Sequence, residues 1–206
     1  MRGNPIRSVE PVPMTVATRI RSALTLAVTL TFFTSCVSLE GATPEARRAS
    51  ALTVHDEVLG EAREDFPELP EVMEGAVGYV TFDSGIFKTI IGHVGGYAVA
   101  VDLETDERTV LASSAWCLGP LFEFGTARGL AIVNDRQVFD AIVAGEVSWD
   151  FGADADASFR FGDFGGDVSA TSFNSEAKFY RMFQTGVGLN ACVFWMSLTP
   201  VPELNP

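Results

Sequence analysis

Val147-Ser-Trp-Asp-Phe-Gly-Ala-Asp-Ala-Asp-Ala-Ser-Phe-Arg-Phe161 is the most regular stretch of the chain. Its odd positions are all apolar, from Val147, Trp149 and Phe151 through Ala153, Ala155 and Ala157 to Phe159 and Phe161. Its even positions are Ser148, Asp150, Gly152, Asp154, Asp156, Ser158 and Arg160. Side chains alternate across a strand with a period of two, so the pattern predicts one long, half-buried strand without interruption.

Strands are predicted on both sides of it. Upstream, β-branched and aromatic residues recur in short runs at 76–82, 87–103, 109–114, 117–124 and 130–133, with the polar Glu104-Thr-Asp-Glu107 as a hairpin tip between the second and third. Downstream, 162–166 reads as a turn, 168–180 as a strand or strand–helix mixture, and 186–198 as a closing strand stopped by Pro200-Val-Pro202. Gly92, Gly95 and Gly96 predict bulges or tight bends. A helix is expected from Thr43 as N-cap and Pro44 at the first position, with Ala51, Leu52, His55, Val58, Leu59, Ala62 and Phe66 as its apolar stripe, ending at Pro67. A short helical turn at 68–74 comes next. Another helix runs from Asn134 or Asp135 through Ala144 to a stop at Gly145. The fold class is α+β: a strongly curved, mainly antiparallel sheet or partial barrel with a few flanking helices.

The chain has 206 residues, 47% hydrophobic and 20% charged, with net charge −13. That composition can build a core and lacks the dense Lys and Arg that nucleic acid rewards, so nucleic acid is excluded as a partner. The charge divides unevenly. Arg2, Arg7, Arg19 and Arg21 face only Glu10 in the first 35 residues, and residues 36–206 hold 10 basic against 26 acidic side chains, net −16. After Arg21 the apolar stretch 22–35 is too short to span about 30 Å of hydrocarbon and has the size of a signal-peptide core; Met14 is an alternative start. It ends in Phe33-Thr-Ser-Cys36, which resembles a bacterial lipoprotein signal with Cys36 as the acylated mature N-terminus. Ordinary cleavage nearby and an uncleaved anchor helix are the alternatives. Val37 is not the Asp that retains such proteins at the inner membrane, so the expected location is the outer membrane, facing the periplasm. The organisation expected is a lipoprotein-type signal peptide at 1–35, a helical segment at 36–65, the main domain at 66–198 and a tail at 199–206.

Catalytic constellations are scarce. His55 in the helical stripe reads as a boundary residue, and His93 as a rim or core residue with some claim to a ligand role. No Gly-x-Ser-x-Gly, His-Glu-x-x-His or Gly-x-x-x-x-Gly-Lys motif occurs, and neither an enzyme nor a cofactor is expected. Asp150, Asp154, Asp156, Asp163 and Asp167 read as a solvated sheet face before a calcium site, whose loop spacing is missing. Trp116, Trp149 and Trp195 lie in apolar runs and read as core or rim. Cys117 and Cys192 either pair in an oxidising compartment or stay as buried thiols. Lys88, His93, Arg128, Lys178 and Arg181 are the candidates for meeting a lipid headgroup, with scattered solubilising charge as the plainer reading.

Phe66-Pro-Glu-Leu-Pro70, Gly75-Ala-Val-Gly-Tyr-Val-Thr-Phe82, Gly95-Gly-Tyr-Ala-Val-Ala-Val101, Leu118-Gly-Pro-Leu-Phe-Glu-Phe-Gly125, Leu130-Ala-Ile-Val-Asn134 with Val138-Phe-Asp140, and Gly186-Val-Gly-Leu-Asn-Ala191 succeed one another in an order that resembles the SYLF domain family. The resemblance spans roughly Phe66 to Leu198. It implies a non-enzymatic lipid-binding domain whose partner is a lipid or membrane surface, here in an exported, lipid-anchored envelope protein. A structural module that binds an envelope protein is the alternative. The opening helix carries Glu57, Glu61, Glu64 and Asp65, and actin, bound by some eukaryotic relatives, is not expected as a partner.

Overall fold

The computed structural model describes residues 37–88, 91–119, 121–146, 148–161, 164–171 and 177–205, with 88, 91, 121, 148–161, 164–171, 183 and 188–194 described by backbone alone. The predicted opening helix is α1, Pro44–Asp65, with Pro44 in its first turn and the Thr43 hydroxyl accepting from the Ala46 amide. This satisfies one of the donors that every helix start leaves open. The short α2, Leu69–Met73, comes next, and α3, Arg136–Ala144, is capped by the Asp135 carboxylate at the Val138 amide. Gly145 ends α3 in the left-handed conformation, at φ 75°.

Seven antiparallel strands form one curved sheet that is not closed: β1 Gly78–Lys88, β2 Ile91–Asp102, β3 Arg108–Leu118, β4 Leu121–Val133, β5 Ser148–Phe161, β6 Phe164–Thr171 and β7 Ala177–Pro200. The order is β3-β2-β1-β4-β7-β5-β6, with a further pairing between β3 and β7. That pairing explains the curvature. Leu118 stands opposite Val193 and Leu121 opposite Asn190, so β3 and β4 succeed one another along the 24-residue β7. The β1–β2 hairpin fills the other edge of both, with β2 on β3 and β1 on β4.

The first four strands are covered on both faces. Tyr79, Val99, Val101, Val110, Leu130 and Ile132 meet Val58, Leu59 and Ala62 of α1 and Leu69 of α2. Val80, Phe82, Ala98, Ala100, Leu111 and Ala131 meet Phe139 and Ile142 of α3 from the other side. The buried Leu204 belongs to the α1 side, and the Asn205 side chain bonds both the amide and the carbonyl of Val110. The expected tail thus docks on the sheet, and its first residues, Thr199 and Pro200, extend β7.

Several boundaries differ from the expected ones. The run 87–103 is not one strand but the end of β1 and all of β2, and 117–124 divides between β3 and β4. Gly92, Gly95 and Gly96 sit in unshifted register, so none is a bulge. Gly96 serves a close approach instead, since a Cβ there would run into the Asp83 carbonyl oxygen of β1. The shifts fall at Thr126/Ala127 against β7 and between Phe151 and Ala153 of β5. The second corrects the expectation of an uninterrupted strand: the unpaired Gly152 puts the odd positions 149 and 151 on the opposite side of the sheet from those after it. The turn expected at 162–166 is shorter, because β6 starts at Phe164. Cys117 is buried and disulfide-bonded, and Cys192 stands on β7 two residues from Phe194, which lies opposite Cys117. Val147 and Asp163 lie outside the described residues.

Candidate functional site

Helix α1 does not reach the far end of the face it covers. Successive rows on that face are set by the registers. Asp83, Tyr97, Ala112 and Thr199 form one row, Gly85, Gly95, Ser114 and Ser197 the next, and Phe87, His93, Trp116 and Trp195 the last. Phe124 lies opposite Phe87 on one side and Val187 on the other, and Phe122 stands beyond it by the strand period. Leu118 continues the β3 side.

This end of the sheet is open to solvent. Trp116 is 54% exposed, Leu118 52%, Phe122 55% and Trp195 45%, with Val187 also exposed. Together with Leu103, in the β2–β3 turn, they are the exposed large apolar residues among the described residues. Phe87 and Phe124 are half-buried beneath them. Their rings meet edge-on at 5.0 Å, and Phe122 meets Phe124 at 4.8 Å. His93 lies 4.9 Å from the Trp116 ring, its Nε2 3.1 Å from the Ser114 hydroxyl. Single exposed apolar residues are ordinary, but contiguous aromatic ones on one face mark a contact surface.

Trp116 and Trp195, expected in the core or rim, are therefore surface residues. Their local runs are apolar because each strand carries buried residues on its other side, among them Ala115 and Cys117. The missing information was the pairing of β3 with β7, which sets Trp195 opposite Trp116 across 79 positions of sequence.

A cleft of about 440 Å³ lies where the start of the described chain and α1 meet β1 and β2, lined by Val37, Leu39, Val54, His55, Asp83 and Tyr97 among others. His55 is no boundary residue: it is fully buried. Its Nδ1 lies 2.9 Å from the Thr81 hydroxyl, which donates to the Val99 carbonyl, while Tyr79 donates to Nε2 at 3.5 Å. This chain of bonds satisfies a neutral imidazole with Nδ1 protonated. Burial holds the His55 pKa below its ordinary value, and the Arg108 charge acts in the same direction.

The headgroup candidates are not gathered in one place. Arg128, beside α1, is held by Glu57 at 2.9 Å and by Glu61, with Asp83 at 3.8 Å. Gln184 donates to the second oxygen of Glu61 at 2.7 Å. Burial pushes the Asp83 pKa up, against the pull of Arg128. Arg181 lies across the sheet, where it pairs with the fully buried Glu123. Lys178 is exposed, with its ammonium 5.2 Å from the Tyr180 ring. Lys88 ends β1, and its side chain lies outside the described part; His93 alone of the five belongs to the aromatic surface. Asp150, Asp154, Asp156 and Asp167 stand on the part described by backbone alone, and they do not share the one face expected of them: Asp150 lies opposite Trp195, whereas Asp154 and Asp156, past the shift at Gly152, lie opposite Cys192 and Asn190 on the other face. Among the described residues no three His, Cys, Asp or Glu side chains come together as a metal-ligand set, and no helix is long and apolar enough to cross a membrane. Compared with known proteins, the chain matches no family model and no curated protein.

Proposed function

We propose that the protein is a non-enzymatic, SYLF-like lipid-binding domain, exported and held in the cell envelope by acylation of Cys36, in the outer membrane and facing the periplasm. The observation that carries this reading is the exposed aromatic end of the sheet, with Trp116, Trp195, Phe122 and Leu118 side by side. Trp partitions to the boundary between headgroups and acyl chains, where its apolar ring and its polar N–H edge are both accommodated, and Phe and Leu beside it add buried apolar area. The lipobox-like Phe33-Thr-Ser-Cys36 and the order of glycine-rich motifs agree with it. Two or three acyl chains, at about 0.8 kcal/mol per buried methylene, suffice for a stable anchor without a transmembrane helix.

A second reading, an envelope protein-interaction module, draws on the same surface, since apolar aromatic patches also serve protein contacts. Intact mass and lipid analysis of the native protein extracted from membranes separate the two. The proposal expects loss of the leader, an acyl mass at Cys36 and copurifying lipid. An unmodified Cys36 sinks the anchor. One dominant crosslinked protein with no retained lipid would favour the interaction module.

A further inference from the structure

We infer that the aromatic end of the sheet is the face on which the anchored protein lies in the bilayer interface, and that it takes zwitterionic rather than anionic lipid there. This rests on the reading of Cys36 as the anchor and adds to it the contact surface, its orientation and its lipid class.

Three observations converge on that face. The first is its chemistry: two tryptophans, two partly buried phenylalanines, and the exposed Phe122, Leu118 and Val187, all on one side of one sheet. The row behind them, Gly85, Gly95, Ser114 and Ser197, is small and uncharged, so among these described residues nothing stands up to hold the rings away from a flat surface.

The second is the origin of the chain. Val37 lies over the same face, in the cleft with Asp83 and Tyr97. Phe87 is four residues beyond Asp83 along β1, roughly 13 Å at the rise of a strand. An acyl group on Cys36 is attached one residue before Val37. Because Val37 lies on this face, the proposed anchor one residue before it is tethered to the side of the sheet that carries the aromatic surface.

The third is charge. On this face Asp150 stands opposite Trp195 on β5, and toward α1 come Asp83, Glu57 and Glu61, three carboxylates around the single Arg128. That cluster has no cation left over for a phosphate, and the body after the leader is net −16. An anionic surface is repelled, while a zwitterionic headgroup layer presents no net charge to oppose the apolar contact.

The test uses the native acylated protein reconstituted into phosphatidylcholine vesicles, with and without bromine on the acyl chains as a contact quencher of tryptophan. Trp116 and Trp195 are two of the three tryptophans, Trp149 being the third. Quenching by the brominated lipid is expected in the parent and in Trp149→Phe. It is expected to be mostly lost in the Trp116→Phe/Trp195→Phe double variant, whose fold is checked by circular dichroism. Replacing part of the phosphatidylcholine with phosphatidylglycerol is expected to reduce the quenching. Anchored protein with unquenched tryptophans, or quenching that survives the double variant, overturns the placement and leaves the anchor standing. Stronger quenching on phosphatidylglycerol overturns the lipid class. Failure of the native protein to associate with any vesicle overturns the underlying reading as well.

Discussion

His55 shows how one buried polar residue constrains the region between helix and sheet. Its ring stacks on Tyr79 at 5.7 Å and bonds Thr81, so α1 is tied to β1 by groups that must stay neutral and paired. Its pKa in the fold is depressed below 6.5 by burial first and by Arg108 second, with Asp56 opposing. The unfolded chain therefore binds more protons as pH falls below the ordinary histidine value. The stabilising contribution is full above that value and is lost as pH falls through the folded pKa, with a slope of at most about 1.4 kcal/mol per pH unit for one proton. Urea unfolding between pH 7.5 and 5.5 should show this fall, and His55→Gln should flatten it; an unchanged slope would assign the effect to another group. Arg128 makes a complementary case. Only 17% exposed and surrounded by three carboxylates, it should cost about 1–3 kcal/mol when replaced by Met, discounted for its residual contact with water. Asp83, whose pKa burial raises, regains its proton early on acidification, so the Arg128→Met loss should be smaller at pH 4.5 than at pH 7. Neither network was legible in the sequence. The helical stripe put His55 on the inward side of α1, but its reading as a boundary residue could not foresee that Thr81 and Tyr79 beneath it satisfy both ring nitrogens and allow full burial.

Glycine separates local preference from tertiary demand at the level of elements. Gly60 lies exposed inside α1 with open space where a Cβ would stand, so Gly60→Ala should stabilise the protein by about 0.5–1 kcal/mol through helix propensity. Gly96→Ala should destabilise it by about 2–3 kcal/mol, because the added carbon meets the Asp83 backbone rather than a side chain that could swing away. Thermal unfolding of both variants checks the pair, and equal shifts in one direction would refute the distinction. The same contrast explains what the sequence allowed to be read. The helices were legible because their signals are local: Thr43 and Pro44, Asp135 and Gly145, and a stripe at the helical period. The limits of β1 to β4 were less so, since Tyr97-Ala-Val-Ala-Val101 is buried on both faces, under α1 on one and α3 on the other, and alternation disappears where no face is wet. In β5 the alternation is present, yet Gly152 breaks its phase, which a pattern of letters with glycine at an even position does not betray.

For the whole molecule, the sign of the charge and the position of the apolar face lead to opposite expectations about salt. A domain that met membranes through clustered Lys and Arg would leave an anionic bilayer as salt rises, because its attraction is screened. Here residues 36–206 are net −16, and the basic side chains Arg128 and Arg181 are engaged by carboxylates on opposite sides of the sheet. With the proposed acyl anchor holding the protein at the surface, electrostatics would only lift the aromatic face away from anionic headgroups or let it settle. At low ionic strength, with a screening length near 30 Å at about 0.01 M, the repulsion spans the domain; at about 0.15 M it falls to about 8 Å. Lipid quenching of Trp116 and Trp195 on vesicles containing phosphatidylglycerol should therefore increase as salt is added, and should stay level on phosphatidylcholine alone. A decrease with salt would mean that cationic headgroup contacts hold the domain down, and would return Lys178 and its fellow candidates to the centre of the contact. The salt response thus reads the orientation of the whole domain, because repulsion by the acidic body and attraction by a basic contact change in opposite directions as screening grows.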